Sequence, residues 1–189
     1  MRAAQPEALE RQLEQWLVEL FGADHAVVRH LRRTLYWLER LYPDAGPALR
    51  LAALCHDVQR AEEIGAGGLG VPAALTEAAY LAHHQHQGAR MATRFLVAAG
   101  AEEGLVRRVA AYVARHEEGG GAAGDALLDA DSVSFFENSV DFLLTAPGRG
   151  PGTAGLREKF AWMFGRIRSA HARDLARPLY EQALERLAG

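Results

Sequence analysis

Apolar residues recur every three or four positions along nearly the whole chain, and no segment alternates apolar and polar residues as a half-buried strand would. The spacing predicts helices over 6–21, 24–41, 47–60, 73–99, 102–117, 124–145 and 153–188. The last is expected to kink at Pro178, whose ring removes a backbone donor and clashes with the preceding turn. Between these runs lie stretches rich in Gly and Pro: GAGGLGVP at 65–72, GGGAAG at 119–124 and APGRGPG at 146–152. They read as flexible connectors, the first two close enough to candidate ligands to form a mobile rim. The pattern predicts an all-α fold and one domain over 1–189, with a core at about 24–145 and a C-terminal helical extension over 146–189 packing on it.

Composition narrows the chemistry. A formal net charge of −3 with no basic block gives no footing for a nucleic-acid backbone. The one cysteine, Cys55, excludes an internal disulfide framework and a Cys-based zinc site, and its apolar setting reads as core packing. The N-terminal segment MRAAQPEALERQLEQWLVELFG is broken by charges and reads as an amphipathic helix rather than a leader. No apolar run approaches the ~20 residues of a membrane span, so a soluble, cytoplasmic protein without a membrane partner is expected. None of the glycine-rich stretches matches GxxxxGK[ST], so a phosphate-cradling P-loop is not indicated. Of 21 basic residues a single one, Lys159, is a lysine.

Helical faces sort the histidines. His30 shares a stripe with Val27, Thr34, Trp37 and Leu41, and His84 lies with Leu81, Gly88, Met91 and Phe95. His116 follows Leu105, Val109, Tyr112 and Val113, and Asp131 sits among Leu127, Leu128, Phe135 and Phe142. His83 falls instead on a row with Gln87, Arg90 and Arg94, His25 on one with Arg29 and Arg32, and His171 in an Arg-rich turn. With His56 and Asp57 at the end of the apolar run ALRLAALC, the inward set brings four imidazoles and two carboxylates into one core. Left unpaired, such groups would each cost roughly several kcal/mol. A divalent transition metal would satisfy them together. Imidazole and carboxylate suit Fe, Mn, Zn, Co or Ni, and the lack of thiolate speaks against structural zinc.

The order His30…His56-Asp57…His84…His116…Asp131 resembles the HD superfamily of metal-dependent phosphohydrolases. HLRRTLYWL, LAALCHDVQR, HQHQGARMA (from His84), VAAYVARHE and LLDADSVSFFE are each similar to that family's ligand-bearing helices, in the family's order, over roughly 24–145. REKFAWMFGRI, together with the ADSVSFFE block, resembles a subfamily of small stand-alone members. The resemblance implies His30, His56, Asp57 and Asp131 as ligands of one ion, and His84 and His116 as ligands of a second, with Asp57 bridging and one or two ions per chain. His25 and Asp129 stand as alternatives to His30 and Asp131; the RxxT-like and AD contexts favour His30 and Asp131.

Phosphoryl transfer between such ions needs further positive charge. Arg60, Lys159 and Arg166 are the candidates for substrate binding. Arg60 stands where many members of the family carry a lysine; Lys159 and Arg166 share one face of the last helix. Glu62 or Glu63 is a candidate for orienting water or for acid–base work beside Asp57 and Arg60. The expected function is hydrolysis of a small phosphorylated metabolite, a nucleotide or dinucleotide foremost. A mixed-valent di-iron oxygenase of the same superfamily is the alternative, and a non-catalytic ligand-binding domain ranks third. The oligomeric state is left open, a homodimer being one option.

Overall fold

The computed structural model describes residues 3–65, 78–145 and 152–188. The chain forms α1 (Pro6–Phe21), α2 (Ala26–Leu41), α3 (Pro47–Cys55), α4 (Arg60–Gly65), α5 (Ala78–Ala98), α6 (Glu103–Val113), α7 (Gly121–Asn138), α8 (Val140–Thr145), α9 (Gly152–Gly165) and α10 (Ala170–Ala188). The fold is all-α, with no strand among the described residues, and no helix there is long and apolar enough to cross a membrane. The expected connectors at 65–72 and 146–152 fall almost entirely outside the described residues.

α7 is the axis of the molecule. Ala126 to Phe136 are buried without interruption, as suits a helix surrounded by others. One apolar core gathers Leu9, Leu13, Leu31, Leu38, Leu51, Leu54, Leu96, Val109 and Leu127 from the first seven helices other than α4. A second joins Val133, Phe136, Phe160, Met163, Ala172 and Ala176, so α9 and α10 cover the far half of α7. Trp37 packs against both cores, and its indole donates to Glu137 at 2.8 Å. Cys55 is fully buried, and burial pushes its thiol up to about 12, which fits a packing role.

Four helices depart from the expected spans, and for three of them the structure shows the physical cause. The helix expected over 47–60 stops at Cys55, and 56–59 continue as turns. There the backbone switches to three-residue bonds, Val58 N to Cys55 O at 3.1 Å and Arg60 N to Asp57 O at 3.0 Å. The His56 ring takes the carbonyl of Ala53 at 3.0 Å. The helix expected to reach 117 ends at Val113 in the same way, with the His116 ring on the carbonyl of Val113 at 2.8 Å. Side chains thus take up carbonyls that a helix end leaves orphaned.

The long C-terminal helix breaks at 166–169, before Pro178, which sits inside α10. The cause is Asp129 on α7, which accepts the backbone N–H groups of Arg168 at 2.6 Å and Ser169 at 2.9 Å, as well as the Tyr42 hydroxyl at 2.6 Å. The helix expected over 124–145 starts at Gly121 and divides at Ser139.

One glycine lets the site close. A Cβ on Gly88 would lie 3.2 Å from the His56 carbonyl oxygen and 3.4 Å from the Val113 side chain, so α5 can approach the 56–59 turn only without one.

Asp129→Ala should strand two backbone donors and the Tyr42 hydroxyl, costing about 3 kcal/mol. The expected readout is a lower urea midpoint, with metal stoichiometry unchanged in the protein that remains folded.

Candidate metal centre

His30 on α2, the 56–57 turn, His84 on α5, His116 after α6 and Asp131 on α7 meet at one point between the two cores. The four histidines are at most 5 % exposed, and Asp57 is half-buried. Their rings form an arc, His30 to His56 at 5.3 Å, His56 to His116 at 5.1 Å and His116 to His84 at 5.1 Å between centroids.

Every Nδ1 is occupied. Those of His56 and His116 face carbonyl oxygens, as described, and must carry the proton. That of His84 lies 2.8 Å from Gln59 Oε1. That of His30 lies 3.0 Å from the Ser134 hydroxyl, which itself donates to the His30 carbonyl at 2.9 Å. These partners fix each ring's orientation and aim each Nε2 inward, the arrangement that metal-binding imidazoles use.

The Nε2 atoms converge on two carboxylates. His84 Nε2 is 2.8 Å and His116 Nε2 3.9 Å from Asp57 Oδ1, while His30 Nε2 is 4.0 Å from Asp57 Oδ2. Asp131 Oδ1 lies 3.0 Å from His30 Nε2 and 3.5 Å from His56 Nε2. Among the described residues, His56 Nε2 and His116 Nε2 are the buried side-chain nitrogens without a hydrogen-bond partner. Two groups, His30–His56–Asp57 and Asp57–His84–His116, each have ligand atoms within 4.8 Å of one another. Buried His and Asp groups in this arrangement could hold a metal ion, and the donor set suits a divalent transition metal.

The carboxylates are held by cations. Arg166, at the break between α9 and α10, pairs with Asp131 Oδ2 through one arm and with Glu117 Oε2 through the other; its Nε donates to Ser132 Oγ at 3.0 Å. Burial alone would raise the Asp131 carboxyl, but Arg166 and then His56 hold it well below the usual range. Against the same burial, Arg166 and Lys159 bring Glu117 down to about 2. For Asp57 the opposing charge is Arg60, 3.6 Å away, followed by the His84 hydrogen bond, and its carboxyl too lies well below the usual range. His56 and His116 diverge: burial lowers both, yet Asp131 lifts His56 to about 9, whereas His116 falls to about 4.

Other expected residues fall elsewhere. His25 caps α2, its Nδ1 accepting from Val27 N at 3.2 Å, and so sits at the rim. Asp129 is used by the 166–169 break, leaving His30 and Asp131 as the pair at the centre. His83 and His171 are exposed. Glu62 turns outward and accepts from Gln87 Nε2 at 2.7 Å, so it is not brought into the site. Glu63 binds Tyr80 at 2.9 Å and Arg60 at 3.2 Å at the periphery. Arg166, expected to reach over the site toward a ligand, is instead engaged with the carboxylates beneath.

Sequence reasoning missed Glu117, Gln59 and Ser134. Glu117 is 7 % exposed, lies beside His116 and lines the cavity. Its signal was adjacency to His116, masked by the assumption of an unbroken helix.

Beside the cluster is a cavity of about 90 Å³, lined by the charged Asp57, Glu117, Arg60, Lys159 and Arg166 and by the apolar Val27, Phe135, Phe142, Leu143 and Met163. Lys159 is 5 % exposed and stands 4.2 Å from the Trp162 ring centroid; burial pushes it down to about 8. Compared with known proteins, the chain matches no family model, no curated protein and no solved structure.

Proposed function

We propose that this chain is a metal-dependent phosphohydrolase of the HD type, acting on a phosphate ester of a small metabolite. Nucleotides and dinucleotides are the class that the sequence resemblance brings forward. The observation that carries the reading is the pair of buried, unpartnered Nε2 atoms of His56 and His116 facing two carboxylates beneath a cationic wall. An all-helical fold with this cluster is compatible with an HD domain.

His30, His56, Asp57 and Asp131 would hold one ion, and Asp57, His84 and His116 a second. Bound there, divalent ions supply Lewis acidity toward water and the phosphoryl group. Arg60 and Lys159 bind phosphate oxygens, neutralising charge that the ions do not reach. Arg166 occupies one carboxylate oxygen each of Asp131 and Glu117. Glu117 is ionised and too weakly basic to take a proton at neutral pH. It orients water by accepting its hydrogen bond, the role the sequence offered to Glu62 or Glu63. Asp57, shared by both groups, positions the reacting centre.

The direct test is metal analysis followed by a screen of phosphorylated metabolites without oxygen. About two ions per chain with oxygen-independent phosphate release is the expected result. Oxygen uptake without phosphate release would instead select the di-iron oxygenase.

Asp57→Ala should abolish turnover and strip most of the metal, while exposed His83→Ala leaves both intact. His84→Ala and His116→Ala should each lower the metal content from about two to about one ion per chain, read by elemental analysis. Arg60→Ala should keep its metal but lose about 2–4 kcal/mol of transition-state stabilisation, measured as kcat/KM.

Arg166→Leu leaves two buried carboxylates unpaired and should cost the metal-free protein about 3–5 kcal/mol. Added metal should recover a larger share of its Tm than in the parent.

Lys159 loses its charge as pH rises through about 8. KM for a phosphorylated substrate should therefore climb above that pH in the parent. In Lys159→Arg, whose guanidinium stays charged, KM should stay level through pH 9.

A further inference from the structure

The cavity's lining is of two kinds. Its charged members, Asp57, Arg60, Glu117, Asp131, Lys159 and Arg166, lie together with His30 at the metal cluster. Most of the remaining lining is apolar, Val27, Ile64, Phe135, Phe142, Leu143 and Met163, and it begins beside the charges, with the Phe135 ring 5.9 Å from Lys159 Nζ. Beyond the cluster, polar side chains enter the lining at His25 and Ser139 alone among the described residues. His25 is already spent, its Nδ1 capping α2 and its ring stacked 5.6 Å from Phe21.

A phosphate seated against Arg60 and Lys159 would therefore point the rest of its molecule at hydrocarbon. We propose, building on the hydrolase reading above, that the substrate is a phosphate monoester of a short hydrocarbon-like alcohol, with the chain lying on Val27, Phe142, Leu143 and Met163.

Two physical arguments favour this class over a sugar or nucleotide. Each hydroxyl or base-edge group buried on such a wall without a partner lowers affinity about tenfold. Each methylene buried there raises it about three- to fourfold.

The test uses binding and turnover separately, on protein of measured metal content. In calorimetry, the Kd of n-alkylphosphonates should fall about threefold per methylene from methyl to butyl. AMP and ribose 5-phosphate should bind no more tightly than methylphosphonate. In turnover, butyl phosphate should exceed AMP and ribose 5-phosphate at least tenfold in kcat/KM. Leu143→Asn should flatten the chain-length series. A flat series in the parent, AMP binding more tightly than butylphosphonate, no phosphonate binding at all, or an unaltered slope in Leu143→Asn would each overturn the assignment. If the phosphonate series rises as stated while no ester of any class releases phosphate, the hydrolase reading falls and the binding assignment stands. If esters turn over without regard to chain length, the reverse holds.

Discussion

Ionised groups buried next to one another are tolerable only in pairs, and the centre of this molecule is organised by that constraint. Arg60 stands 3.6 Å from Asp57, Arg166 pairs with both Asp131 and Glu117, and Lys159 is buried in the same cavity wall, all beside two apolar cores. Taking a charge out of water costs several kcal/mol even after relaxation, and a partner repays it only with good geometry. Arg166 meets that demand twice, one arm on each carboxylate, with its Nε on Ser132. It reaches them because the last long helix is interrupted beside α7. The interruption is in turn held by Asp129, two residues from Asp131 on the same helix. One turn of α7 therefore supplies both the group that Arg166 binds and the group that places Arg166.

Helix-face arithmetic on the sequence reached the centre of the site with little loss. His30, His84 and Asp131 lie inside regular helices, where a 3.6-residue period states which way a side chain points. His83 beside His84 shows the resolution of that reading: neighbours on one helix, one exposed and one fully buried. The all-α class was equally legible, since period and length sufficed.

What escaped was where the helices end, although His56 and His116 themselves were picked out and are buried. His56 and His116 lie just past helix ends, where the period no longer holds, and each helps to end its own helix by bonding the carbonyl three residues back. Glu117 follows such an end, and its direction could not be computed from an uninterrupted helix. Asp129 had an apolar row as good as that of Asp131, and nothing in the linear pattern announced that two backbone amides about forty residues away would use it. Glu62 erred in the opposite sense: nearness to Asp57 in sequence placed it at the site, whereas the turn at 56–59 swings it to Gln87.

The position of the single lysine has an experimental consequence. In a chain whose other basic side chains are all arginine, amine-directed chemistry has one side-chain target, and that target stands in the wall of the cavity rather than on the surface. Acylating and reductive-alkylating reagents, which elsewhere decorate a protein indiscriminately, here have a built-in reporter. The rate at which Lys159 is labelled measures how often the cavity admits a small molecule, and protection from labelling measures what occupies it.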